Sequence, residues 1–177
     1  MTSRSINLLI PEMQTKVVEH RRLCKEQGVS VLYYCTERTL QEQAVLYRQS
    51  NSSAEIDKKV MWLNANGYHF LADIIFDVGP QKTTGWKTNA APGESFHNYR
   101  EAVDGVPVVN GKPVWNYTEN PEAWDIYGSC AKQLGLVWGG DWTSRDLPHL
   151  QLRKGVNPLK EYSPDIIKTM LIENGLL

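Results

Sequence analysis

The stretch AVDGVPVVNGKPVW, residues 102–115, places Asn110-Gly111 between two alternating apolar runs. Asn-Gly is the strongest short hairpin signal, because both central positions of the tight turn need positive φ. The stretch reads as a hairpin of two antiparallel strands, with Asp104 on the first.

Helical segments surround this hairpin. Residues 12–27 read as a helix with Pro11 near its first turn and Gly28 as its stop. VSVLYYCT (29–36) is rich in β-branched and aromatic residues and reads as a strand. Thr39 with Glu42, and Ser52 with Glu55, form capping boxes that open helices running to about Gln49 and Gly67. YHFLADIIFDV (68–78) is too evenly apolar for periodicity to separate a strand from a buried helix, so both readings stand. Residues 79–94, rich in Gly, Pro, Thr and Asn, form a long loop of the kind that usually serves function. Asn120 caps a helix that begins at Pro121 and stops at Gly135; LVWGGDW and PHLQL read as strands; Ser163-Pro164 opens a last helix ending before Gly175. That last helix is expected to pack through Ile166, Ile167, Met170 and Leu171. Strands separated by helices, with at least one hairpin, predict an α+β fold with a mainly antiparallel sheet and flanking helices.

The 177 residues suit one domain, 1–177, with 153–177 as a C-terminal extension packed on it. With 19 Lys plus Arg against 20 Asp plus Glu, the chain lacks the basic excess that binds nucleic acid unselectively. The start has a three-residue apolar run, Leu8–Ile10, before Pro11, too short for a secretory signal, and no later run approaches the roughly 18 apolar residues of a membrane span. The expectation is a chain made in the cytoplasm, without membrane insertion. Nothing in the sequence demands an oligomer, so a monomer is expected. Cys24, Cys35 and Cys130, odd in number and set among apolar neighbours, read as core residues rather than a disulfide framework or a thiolate zinc knot.

Upstream of the hairpin, SFHNYREAVDG (95–105) sets His97 seven positions before Asp104. On a straight helix that spacing means roughly 10 Å of rise, and on a straight strand it means opposite faces, whereas two ligands of one zinc, each bound at about 2 Å, nearly touch. If the two share an ion, the chain must bend between them, as a loop leading into a strand does. Downstream, RDLPHLQL places Asp146 three residues before His149, and Pro148 blocks a regular helix there. Two histidines and a carboxylate suit a catalytic zinc that keeps its fourth position for water, and a further acidic group, for which Asp146 is nearest, would serve as general base.

The segments S-x-H-N-Y-x-x-A-V-D, GLVWGGDW, D-L-P-H-L-Q and ERTLQEQAVLY, spanning residues 38–151 in order, resemble the zinc peptidases that cut peptidoglycan stem peptides. These include phage endolysins with L-alanyl-D-glutamate peptidase activity and the related D-Ala-D-Ala carboxypeptidases, whose fold is also that of the hedgehog signalling domain. The resemblance implies a hedgehog/DD-peptidase-like fold and one catalytic zinc ion held by His97, Asp104 and His149. It also implies Asp146 as general base and Arg38 as the group that steadies the substrate carbonyl. Ser95 and Gln43 match positions near the site. Where the family usually has Trp and Gly, this chain has Phe96 and Arg100, and Gly105 stands where an apolar residue is common.

The implied activity is that of a cell-wall endopeptidase reaching peptidoglycan peptides after release from the cell. A D-Ala-D-Ala carboxypeptidase or dipeptidase is the alternative, with Arg100 as the extra cation for a terminal carboxylate. A noncatalytic zinc-containing binding module is the other. Trp138 and Trp142 flank Gly139-Gly140, which either brings backbone and Trp142 close to a peptide substrate or packs both rings in the core. His20 and His69 lack partners at ligand spacing and read as satisfied-core or surface residues. Glu101 and Asp141 are acidic groups near the site that compete with Asp146 for the base role or are solvated surface acids; Glu101 reads as the latter.

Overall fold

The structure is a computed structural model that describes residues 3–82, 85, 87–155 and 157–177. In chain order its elements are α1 (Pro11–Glu26), β1 (Ser30–Cys35), α2 (Leu40–Ser50), α3 (Ser53–Ala65), α4 (His69–Asp77), β2 (Ala102–Val109), β3 (Lys112–Pro113), α5 (Pro121–Gln133), β4 (Val137–Trp138), β5 (His149–Gln151), α6 (Pro158–Glu161) and α7 (Pro164–Glu173). Thr83, Thr84 and Trp86, part of the expected 79–94 loop, lie outside the described residues. The chain divides into two compact units: Arg38–Tyr99 with Gly155–Leu177, and the chain up to Glu37 with Arg100–Lys154. No described helix is long and apolar enough to cross a membrane.

The second unit carries the sheet. Its strands run β1-β2-β5-β4, each antiparallel to its neighbour, with β3 returning along β2. The hairpin is the predicted one: Asn110 and Gly111 both have positive φ, at 52° and 75°. β2 is the longest strand and the central one, so whatever it presents has a strand on either side. α1 and α5 pack on each other and against the sheet. Their buried faces, Met13, Val17 and Cys24 on one and Trp124, Tyr127 and Cys130 on the other, join Val31, Val103, Val106 and Leu150 in one core. The caps read from sequence hold α5 in place: Asn120 Oδ1 accepts from the Ala123 amide at 3.0 Å, and Gly135 ends the helix at φ 73°.

His20 sits inside this core. Its Nε2 donates to the Tyr127 carbonyl at 2.8 Å, which leaves Nδ1 to accept from the Tyr33 hydroxyl at 2.6 Å. Cys24 and Cys130 are buried in the same core, as the sequence predicts for small apolar-like residues, and Cys35 is buried on β1.

The first unit is helical. Both capping boxes form: Thr39 Oγ1 accepts from the Glu42 amide while Glu42 accepts from the Thr39 amide, and Ser52 and Glu55 repeat the exchange. The undecided 68–78 segment is α4, with Leu71, Ala72, Ile74 and Ile75 buried and Phe76 exposed, a helical stripe that its apolar outer face concealed. The C-terminal residues belong to this unit. The Tyr68 hydroxyl lies 3.0 and 2.7 Å from the Leu159 and Tyr162 carbonyls, and α7 buries Ile167 and Leu171. Ile166, expected in that packing face, is instead half exposed, because it points one position off the buried stripe.

Burial without a carboxylate partner pushes the His20 pKa down to about 4. Since the unfolded value is about 6.5, the unfolded chain takes up the proton first. The stabilisation is complete above pH 6.5 and is lost as pH falls toward 4, by up to about 3 kcal/mol. Urea unfolding of wild type and His20→Gln across pH 7 to 4 should show the steeper loss in wild type; equal slopes would contradict this reading.

Candidate metal centre

Strand register creates the centre of the sheet-bearing unit. Asp104 on β2 pairs with His149 on β5 and with Cys35 on β1, so the three side chains form one row on one face of the sheet. Asp104 Oδ1 and His149 Nδ1 are 3.1 Å apart, both largely buried. Cys35 Sγ and an Asp104 carboxylate oxygen lie within 4.8 Å of one another. The sequence reading placed Cys35 in the core and missed this neighbour; its alignment opposite Asp104 depends on strand register and on the irregularity between Tyr33 and Cys35.

The proton on His149 can be located from its other nitrogen. Gln151 Nε2 donates to the Arg153 carbonyl at 2.5 Å, so its Oε1 is the atom that faces His149 Nε2 at 2.9 Å. A carbonyl oxygen only accepts, hence Nε2 carries hydrogen and Nδ1 is the nitrogen turned toward Asp104. At this distance the carboxylate and Nδ1 share either a proton or a metal ion. Two ligands bound at about 2.0–2.2 Å to a tetrahedral zinc stand roughly 3.3–3.5 Å apart, close to the spacing here. The donor set therefore fits zinc by both chemistry and separation.

Gln151 and the residues that hold it were absent from the sequence reading. Arg153 makes two hydrogen bonds of 2.9 Å to the carboxylate of Glu101, and the Leu152 amide donates to the Glu101 carbonyl at 3.1 Å. Glu101, expected as a solvated acid, is 3% exposed. It is buried because this guanidinium covers it. The signal that could have found Gln151 is its position two residues beyond His149, on the same face of a strand.

Asp146 is exposed on the loop between β4 and β5. Its amide donates to the Gly139 carbonyl at 3.0 Å and its own carbonyl accepts from the His149 amide at 3.2 Å, so a single turn ties Asp146 to His149. Trp142 lies beside His149, ring centroids 5.2 Å apart, whereas Trp138 is buried and donates to the Leu147 carbonyl at 2.7 Å. Asp141 is exposed and paired with Lys132. The Gly139-Gly140 pair serves the chain's own packing. A Cβ on Gly139 would stand 2.4 Å from the Asp146 carbonyl oxygen, and one on Gly140 would stand 2.3 Å from the Trp138 ring.

Arg100 occupies the left-handed region at φ 60°, which glycine enters without strain and a residue with a side chain does not. Its guanidinium forms an ion pair with Glu37 in the same unit.

The helical unit carries the other predicted residues. His97 lies in a short 3-10 turn, Phe96–Tyr99, all four residues buried. Its carbonyl accepts from the Arg38 amide at 3.2 Å, and Asn98 Nδ2 donates to the Arg38 carbonyl at 2.8 Å, so Arg38 is fastened to the turn bearing His97. Gln43, fully buried, donates to the Ala90 carbonyl at 2.6 Å and accepts from Arg38 Nη1 at 3.1 Å. It orients the arginine. Ser95 is half-buried and accepts from the Asn98 amide through its carbonyl at 2.9 Å. His69 is exposed and lies 3.0 Å from Asn64 Oδ1.

Residues 88–152 match the family described as D-alanyl-D-alanine carboxypeptidase. A peptidoglycan L-alanyl-D-glutamate endopeptidase, CwlK, of Bacillus subtilis is 36% identical over 87 residues, 45% of this chain and 52% of that protein. An L-alanyl-D-glutamate peptidase of a Listeria phage is 31% identical over 104 residues, 57% of this chain and 36% of that protein. The chain thus spans about half of the first relative and about a third of the second. Among solved structures, the Serratia marcescens L-Ala D-Glu endopeptidase ChiX aligns with a TM-score of 0.45 at 19% identity, covering 86% of this chain and 89% of that one. The vancomycin resistance D,D-pentapeptidase VanY, in complex with Zn(II), aligns at 0.46 and 18%, covering 90% and 78%.

Gly139→Ala should cost about 1–3 kcal/mol, since the Asp146 backbone has no room to yield without moving His149. Chemical denaturation measures it, and a change below about 0.5 kcal/mol, within the range of ordinary surface substitutions, would contradict the account.

Proposed function

We propose that this chain, whose residues 88–152 match the family described as D-alanyl-D-alanine carboxypeptidase, is a zinc metallopeptidase of peptidoglycan stem peptides, an L-alanyl-D-glutamate endopeptidase of the endolysin kind. The observation that carries the proposal is the Asp104–His149 pair, whose carboxylate and Nδ1 stand 3.1 Å apart while Nε2 is committed to Gln151, a spacing that suits one shared zinc. His97, in the S-x-H-N-Y-x-x-A-V-D motif, is the proposed third ligand of the one ion. The 1–177 chain acts as one monomeric peptidase domain, reaching the wall after release.

Zinc, when bound by these residues, supplies a Lewis acid that lowers the pKa of water to about 7 and polarises a carbonyl. The other roles fall to the chain itself. The Asp146 carboxylate, exposed and tied to His149 by one turn, takes the proton of the attacking water and returns it to the leaving amine. Arg38, oriented by Gln43, places fixed positive charge and several donors against the developing oxyanion. Trp142 beside His149 offers an aromatic wall to the substrate peptide, and Ser95 a hydrogen-bonding hydroxyl.

The D-Ala-D-Ala carboxypeptidase reading needs a further cation for a free carboxylate. The ion pair of Arg100 with Glu37 supports the endopeptidase instead, with Arg100 serving the turn into β2.

Asp146→Asn should retain zinc, measured by elemental analysis, and lower hydrolysis of stem peptides by about 10²–10⁴-fold. His149→Ala should lose both zinc and activity. Full turnover in Asp146→Asn would remove it as the base, and full zinc occupancy in His149→Ala would end its ligand role. Metal bound with no hydrolysis of any stem peptide by wild type would favour the noncatalytic module.

A further inference from the structure

Gln151 binds neither substrate nor metal in any reading above, yet its amide is fixed at both ends. We infer that Gln151, held by the buried Glu101–Arg153 pair, is a positioning residue that sets which nitrogen of His149 is presented to the metal. The inference rests on the zinc reading of Asp104 and His149.

A neutral histidine has two tautomers, and in solution the one with hydrogen on Nε2 dominates only modestly. A protein that needs Nδ1 as ligand gains affinity by placing an acceptor at Nε2, because the misprotonated ring must otherwise be corrected each time metal binds. Gln151 could turn its amide either way unless something chose for it. The Arg153 carbonyl chooses, since it accepts from Nε2 of Gln151 at 2.5 Å and would repel Oε1.

That carbonyl is itself held. The Arg153 guanidinium is bidentate on Glu101, both bonds 2.9 Å, and the Leu152 amide closes on the Glu101 carbonyl. Glu101 is one residue before β2, and Ala102 pairs with Gln151, so the fastening arises where β2 and β5 meet. Along two adjacent strands, Glu101, Arg153, Gln151, His149 and Asp104 form one connected chain of polar contacts. The bonding also explains why a glutamate and a glutamine are buried here, at 3% and 1% exposure.

A carboxylate at position 151 accepts from His149 Nε2 as the amide does, whereas a thioether of similar length barely accepts. The test uses the purified full chain as wild type, Gln151→Glu, Gln151→Met and Glu101→Gln. Zinc affinity is read by competition with a chromogenic chelator, and cobalt(II) binding by the visible absorption of the substituted protein. Gln151→Met should bind zinc about 10–100-fold more weakly, in the range found when the outer partner of a metal-bound histidine is removed. Its metal-free far-UV circular dichroism should stay as in wild type. Gln151→Glu keeps the acceptor toward His149 but sets its second oxygen against the Arg153 carbonyl, so it should recover part of the affinity, and Glu101→Gln should weaken binding less than Gln151→Met does.

Wild-type affinity in Gln151→Met overturns the inference. So does equal loss in Gln151→Glu and Gln151→Met, which would show that the side chain's shape matters and its acceptor does not. Should Gln151→Met fail to fold, undiminished affinity in Glu101→Gln overturns it as well. Failure of wild type to bind either metal would defeat the zinc reading and this inference together, an outcome distinct from wild-type binding that is indifferent to Gln151.

Discussion

The sheet holds the Asp104 carboxylate and His149 Nδ1 3.1 Å apart, near the separation of two ligands on one zinc ion. The arrangement follows from β2 being central. With β5 on one side and β1 on the other, antiparallel register fixes which residues stand beside Asp104, and the core formed with α1 and α5 prevents slippage, since a one-residue shift would turn Val103, opposite Leu150, out of the core. Binding chemistry here is a consequence of strand pairing.

Much of this was legible in the sequence for identifiable reasons. Asn110-Gly111 gave a turn that few other dipeptides can make, and it placed Asp104 on a strand. The two capping boxes and the Asn120-Pro121 start worked because caps are local chemistry, decided within four residues. The histidine and aspartate motifs suggested ligands because few residue types bind zinc. Parts that depend on distant residues were harder. Glu101 read as solvated because Arg153, which covers it, lies fifty-two positions away. Cys35 read as an ordinary core thiol because nothing before strand register put it opposite Asp104. The α4 segment stayed ambiguous since its exposed Phe76 hides the helical stripe.

Arg100 shows how a departure from a related pattern is accommodated. A positive φ that suits glycine strains an arginine by about 1 kcal/mol or more, and the ion pair with Glu37 and the bond from the Ile10 amide to the Arg100 carbonyl hold it there. The glycine-glycine pair before the Asp146 loop answers to packing in the same way: its missing side chains make room for the Asp146 backbone and the Trp138 ring.

The most direct measurement is mass spectrometry of purified peptidoglycan digested with the zinc-loaded protein beside a chelator-treated control. Peptides with a new N-terminal D-glutamate, released only in the presence of metal, are the predicted result. Loss of a single D-alanine would contradict the endopeptidase assignment, and intact stem peptides across wall types would contradict the peptidase account as a whole.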